Sequence, residues 1–125
     1  LNQSMEYAGV ITKFLEKIEK SENLIIFGDG TQTRDFVAIE DIINSIHNAI
    51  EYTENGIFNI ASGEKITIKE LAKLMILLSN KTLGIEYVKS KKGDIKYSEA
   101  DIQLAKNYLN YFSKIELKDG IKKLM

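Results

Sequence analysis

The 125-residue chain has no cysteine. That excludes a disulfide framework and thiolate chemistry, and makes a reducing interior, hence the cytoplasm, the natural expectation. Proline is also absent, so no turn is marked by it. A single histidine, His47, cannot assemble a metal cluster without a second histidine or a thiolate. Neither sign of charge predominates: Lys+Arg is 17 against Asp+Glu at 18. That balance argues against electrostatic binding to nucleic acid or a membrane surface, which needs a basic excess. No apolar run approaches the length of a membrane span, and no signal peptide is visible. Arginine occurs once, at Arg34; every other basic residue is lysine.

What is present suits a globular domain. Hydrophobic residues make up 44% and charged residues 28% of the chain, and its length suffices for one domain with a real core. With no repeat, linker or low-complexity tract, residues 1–125 read as one mixed helix-and-strand (α/β) domain. The chain opens on Leu1 rather than Met, which points to a segment of a longer protein.

Hydrophobic spacing predicts helices over Tyr7 to Lys20, on Val10, Ile11, Phe14, Leu15 and Ile18, and over Asp41 to Tyr52, with Ile42, Ile43, Ile46, Ala49 and Ile50 as the packing face. Glu40 and Asp41 suit the positive end of that second helix. His47 reads as a boundary residue half covered by packing. Strands are expected at Leu24 to Phe27, Ile57 to Ile60 and Gly84 to Val88, with Thr33 to Ile39 extended. Thr67-Ile68-Lys69-Glu70 is a capping box, opening a helix to Leu78 that packs through Leu71, Leu74, Met75 and Leu78. Helices over Asp101 to Leu109 and Glu116 to Leu124 complete the chain, the latter with a second capping pattern in Ser113 and Glu116.

The strand ending in Gly28-Asp29-Gly30 invites a dinucleotide-loop reading. That fingerprint requires a third glycine opening a helix; here the third position is Thr33 and the following residues look extended. A tight turn using glycine's tolerance of positive φ fits better. Tyr87-x-x-x-Lys91 has the spacing of a catalytic pair that must share a helix face, but it straddles a strand end and a loop. No residues form a credible acid/base pair, nucleophile set or metal site.

Anion-binding parts remain. Arg34 offers a planar fork for two phosphate oxygens at once. Lys89-Ser90-Lys91-Lys92-Gly93-Asp94 clusters positive charge before a carboxylate that can accept from sugar hydroxyls. Phe27, beside the glycine turn, can stack on a base. Each has an ordinary alternative: a surface ion pair, a solvated charge run, a core aromatic.

Five stretches, "YAGVITKFLEKI", "LIIFGDGTQTRDFVAIEDI", "GIFNIASGEKITIKELAKLM", "KKGDIKYSEADIQLAK" and "ELKDGIKKLM", resemble in content and order the nucleotide-sugar epimerase/dehydratase family of extended short-chain dehydrogenases. The likeness runs over nearly the whole chain, and Gly-Asp-Gly-x-x-x-Arg-Asp-Phe is its most specific block. It implies the C-terminal, substrate-binding part of an NAD-dependent enzyme whose N-terminal Rossmann half would hold NAD, the catalytic groups and the helices of a homodimer. The UDP-hexose 4-epimerases are the nearest group; a dehydratase, a decarboxylase or a non-catalytic nucleotide-binding module are the alternatives.

By similarity, Ile25 and Phe27 match base-contacting positions, and Arg34 matches an arginine on the diphosphate. Gly9 and Val10 match positions whose backbone amides approach the phosphates. Lys91 stands where relatives carry a second diphosphate arginine, and Asp94 where they carry a ribose-binding aspartate. Ala38 stands where relatives often have tyrosine or histidine. The implied partner is a nucleotide-sugar substrate, with no nucleic acid and no membrane. No catalytic, cofactor-binding or metal residue is assigned within the chain, and the segment alone is expected to be inactive.

Overall fold

A computed structural model describes residues 9–90 and 92–125. They form a mixed α/β structure of two compact units. The first comprises the described residues of Leu1–Gln32 and Thr67–Ile95, with Met125; the second comprises Thr33–Ile66 and Lys96–Leu124.

In the first unit, helix α1 (Val10–Glu19) buries Phe14, Leu15 and Ile18. Tyr7 and Ala8, expected in the same helix, lie outside the described residues. Strand β1 (Leu24–Phe27) follows. Helix α3 (Ile68–Ser79) buries Ile68, Leu71, Ala72 and Met75, with Leu74 and Leu78 half-buried, and opens on the expected capping box. Thr67 Oγ1 accepts from Glu70 N at 3.1 Å, and the Glu70 carboxylate accepts from Thr67 N at 3.0 Å. Reciprocal bonds of this kind satisfy amides that a helix start leaves unpaired. Strand β4 (Ile85–Val88) pairs with β1 in parallel, Leu24 opposite Ile85 and Phe27 opposite Val88. Leu24 and Ile26 enter the core, so the period-2 alternation turns Ile25 and Phe27 to the other face, where both are half-buried.

In the second unit, strand β2 (Thr33–Asp35) pairs with β3 (Lys65–Thr67), and Thr33 also bridges to Tyr97. Helix α2 (Ile39–Glu51) is followed, after a long connection, by α4 (Gln103–Leu109) and α5 (Leu117–Leu124). The core gathers Ala61, Ile102, Ala105, Leu109 and Tyr111, with Tyr52, Phe58, Ile60 and Ala100 packed against it. The buried Tyr111 hydroxyl donates to Ala61 O at 2.7 Å, so the ring enters the core without an unsatisfied polar end.

Several expectations fail in this unit. Extended backbone after Thr33 stops early, because α2 already begins at Ile39. Ile57 to Ile60 enters no strand pairing among the described residues, although its alternation of exposed and half-buried residues is that of a strand. Most of the predicted packing face of α2 is turned outward: Asp41 and Ser45 are its buried residues and Ile42 is half-buried, while Ile43, Ile46, Ala49 and Ile50 are exposed. His47 is exposed rather than half covered. Ser113 does not cap α5; its hydroxyl donates to Asp41.

Candidate nucleotide-binding residues

The first unit carries the turn that ends β1. Gly28 N donates to Val88 O at 2.8 Å, extending the ladder one residue past Phe27. Gly28 and Gly30 both adopt positive φ, +83° and +78°. Gly30 is needed for space as well, since a Cβ there would lie 3.0 Å from the Lys69 Cβ. Between them, Asp29 Oδ1 accepts from Thr31 N (2.9 Å) and Thr31 Oγ1 (2.7 Å), closing an Asx-type turn. Gln32 Nε2 reaches back to Phe27 O at 2.7 Å. Two further bonds, Lys69 N to Gly30 O and Ile68 N to Gln32 O, tie the turn to the start of α3. The turn therefore fixes the end of β1, and with it the backbone that carries Phe27.

The glycine turn leads into strand β2, not into a helix whose first amides could hold a pyrophosphate. The helix start bonded to this turn, that of α3, already spends its first amides on Gln32 O, Gly30 O and Thr67 Oγ1. The donor set of this turn does not fit NAD.

Gly9 stands at the N-cap of α1 in extended conformation, with no side-chain cap, and Val10 begins the helix. Asp94 follows Gly93, at φ +86°, and is exposed. Lys91 lies outside the described residues. Tyr87 sits on β4 and is exposed, on a strand rather than on a helix face. Gly9, Val10, Ile25, Phe27 and Asp94 thus all belong to the first unit.

Arg34 belongs to the second. It is half-buried on β2, and its Nη1 donates to Thr33 O at 2.7 Å. The next residue, Asp35, was missed in the sequence and holds this strand in place. Its carboxylate accepts from Ser62 N (2.9 Å), Ser62 Oγ and Gly63 N (2.9 Å), pinning the turn at Gly63 (φ +78°) beside β2. Thr33 Oγ1 is buried without a hydrogen-bond partner. The only advance sign of the Asp35 contact was a short Ser-Gly turn, which names no partner.

Among the described residues, no group of three or more His, Cys, Asp or Glu could hold a metal ion, and no helix is long and apolar enough to cross a membrane.

Residues 2–61 match the family model described as "NAD dependent epimerase/dehydratase family". The chain is 33% identical over 114 residues to UDP-glucuronate 4-epimerase of Thermodesulfobacterium geofontis, covering 90% of this chain and 35% of that protein. It is 34% identical over 122 residues to a putative UDP-glucose 4-epimerase of Methanocaldococcus jannaschii, covering 94% and 38%. UDP-glucuronic acid decarboxylase 3 of Arabidopsis thaliana is 29% identical, covering 90% and 33%. The crystal structure of UDP-glucose 4-epimerase from Thermotoga maritima with UDP-glucose superposes with a TM-score of 0.87 at 34% identity, covering 92% of this chain and 37% of that one. UDP-glucuronic acid 4-epimerase of Bacillus cereus, in complex with UDP-glucuronic acid and NAD, gives 0.82 at 32% identity, covering 94% and 40%. The chain thus spans little more than a third of the length of the relatives it matches. Motif order, fold and relatives agree: the chain belongs to the NAD dependent epimerase/dehydratase family.

Proposed function

We propose that this chain is the nucleotide-sugar-binding portion of an NAD-dependent UDP-sugar 4-epimerase, with UDP-glucose and UDP-galactose as the first pair to test. The observation that carries this reading is the likeness, over 92% of the chain, to an epimerase solved with UDP-glucose. In this role Phe27, with Ile25, contacts the base, and Arg34 grips the diphosphate through its bidentate fork. The backbone amides at Gly9 and Val10 approach a phosphate, and Asp94 accepts from a ribose hydroxyl. Lys91 keeps the charge of a second phosphate contact but not the fork. These contacts orient the substrate and add binding energy away from the reacting carbon; the chemical groups and NAD belong to the rest of the full-length protein. We place the protein in the cytoplasm.

The resemblance to a UDP-glucuronic acid decarboxylase favours a second reading, in which the same residues serve a decarboxylase or dehydratase. One experiment separates the two. The full-length protein is incubated with NAD and, separately, UDP-glucose and UDP-glucuronate, and the products are resolved by anion-exchange chromatography. A 4-epimer of either sugar supports the first reading. Carbon dioxide and a pentose product from UDP-glucuronate support the second. No turnover and no UDP binding reject both.

A further inference from the structure

Asparagine is followed by glycine once in the chain, at Asn55-Gly56. In such a pair the backbone amide after the asparagine can attack the side-chain amide carbon, because glycine has no Cβ to crowd the approach and leaves the backbone free to turn. Whether a folded protein permits the attack depends on what else holds the two groups.

The pair lies just beyond α2, in a connection without regular structure, and both residues are exposed. Neither the Asn55 side chain nor the Gly56 amide forms a hydrogen bond with another described residue. The other described asparagines are restrained. Asn44, Asn48 and Asn107 lie inside α2 and α4, where the amide that follows each is spent on the helix. The amides after Asn80 and Asn110 donate to Ser79 Oγ (3.2 Å) and Ala105 O (3.2 Å). Asn23 Nδ2 donates to Glu86 at 2.9 Å, and Asn59 Nδ2 to Asp101 O at 3.3 Å. Gly56 is also hard to exchange for a residue that would slow the attack. A Cβ there would lie 2.7 Å from two ring atoms of Phe58, whose ring packs edge-on against Tyr52. The packing of Phe58 thus keeps glycine at the position that makes its neighbour labile.

We propose that Asn55 is a site of spontaneous modification in the folded protein, converting to aspartate and isoaspartate. The Gly56 nitrogen bonds to Asn55 Cγ, the Cγ–Nδ2 bond breaks, and Nδ2 departs as ammonia with the proton that the Gly56 nitrogen gives up. A five-membered cyclic imide remains. Water then opens the ring, its hydroxyl going to a carbonyl carbon and its proton to the Gly56 nitrogen. Attack at Cγ leaves aspartate; attack at the main-chain carbonyl carbon of Asn55 leaves isoaspartate, with the chain routed through Cγ. Water is the only co-reactant. Either product adds a carboxylate near the exposed Glu51 and Glu54, and isoaspartate lengthens the main chain just ahead of Phe58. The reaction does not depend on which nucleotide sugar the protein binds.

The test uses the full-length protein, aged in neutral and in mildly alkaline buffer and then digested with trypsin. Cleavage after Arg34 and Lys65 yields one peptide holding Asn44, Asn48, Asn55 and Asn59, so the controls travel with the site. Electron-transfer fragmentation locates each mass gain of about 1 Da and tells isoaspartate from aspartate. Gain at Asn55 about tenfold faster than at Asn44 or Asn59, and faster in the alkaline buffer, is the expected result. Asn55→Gln should abolish it, since the longer side chain closes a larger, slower-forming ring. A rate at Asn55 no greater than at Asn59 overturns the proposal, as does an undiminished gain at position 55 in the glutamine variant. So does a rate in the native protein below about a tenth of that in the urea-unfolded protein, which would mean that the fold shields the site.

Discussion

Replacing Asp41 by alanine tests the polar anchor of α2. The carboxylate is fully buried and accepts from three donors in the segment that leads into α5. Truncation removes the acceptor and leaves one hydroxyl and two backbone amides without it. A hydrogen bond to a charged acceptor contributes about 1.5–3 kcal/mol, and a stranded buried donor costs about 1–3 kcal/mol. These donors are only part-buried, so water can replace some of what is lost. Three such bonds at the lower end come to about 4.5 kcal/mol, which that replacement by water brings down to about 3 kcal/mol, a large share of the roughly 5–15 kcal/mol that holds a domain folded. Asp41→Asn keeps the shape and one acceptor oxygen but turns an amide N–H toward other donors, so about 2 kcal/mol is expected. Urea denaturation gives both values, provided the slope of stability against urea is unchanged. A loss below about 1 kcal/mol for Asp41→Ala would refute the reasoning, because the carboxylate would then not anchor the segment.

Further outcomes follow from the turn and the capping box. Gly30→Ala combines a positive φ of +78° with a Cβ 3.0 Å from that of Lys69; it should cost about 1–2 kcal/mol in thermal or urea unfolding. Thr67→Ala removes the N-cap of α3 and should cost about 1 kcal/mol at neutral pH. The Thr67 hydroxyl and amide hold the Glu70 carboxyl below its ordinary 4.5. A depressed folded-state pKa gives stability that is present above pH 4.5 and lost as the pH falls through the folded value. Between pH 6 and pH 3 the protein should therefore lose more stability than its Glu70→Gln variant, and equal losses would dissociate Glu70 from the cap.

The sequence disclosed what local chemistry determines. The capping box was legible because Thr67 and Glu70 interact across one helical turn. The end of β1 was legible because Gly28 and Gly30 break an apolar run where positive φ is needed. What failed depends on partners distant in the chain. Asp41 was read as a charge at a helix start because nothing nearby announces Ser113 to Ile115 as its donors. The isoleucines of α2 were assigned to the core on periodicity, which says that a helix has an apolar face but not what covers it. Ile57 to Ile60 was read as a strand on composition, yet a strand needs a neighbour. Of the candidate binding residues, the order along β1 that turns Ile25 and Phe27 to one side was implicit in period-2 alternation. The Asp35 contact with Ser62 and Gly63 was not, since it joins residues 27 or more positions apart.

The most direct test of the central claim is calorimetric titration of UDP into the full-length protein and its Arg34→Ala variant. A direct bidentate diphosphate contact predicts a loss of about 1.5–3 kcal/mol, or roughly ten- to a hundredfold weaker binding, with thermal stability retained. An unchanged affinity in the variant would contradict the account, leaving Arg34 a residue of the β2 strand and not a grip on the nucleotide.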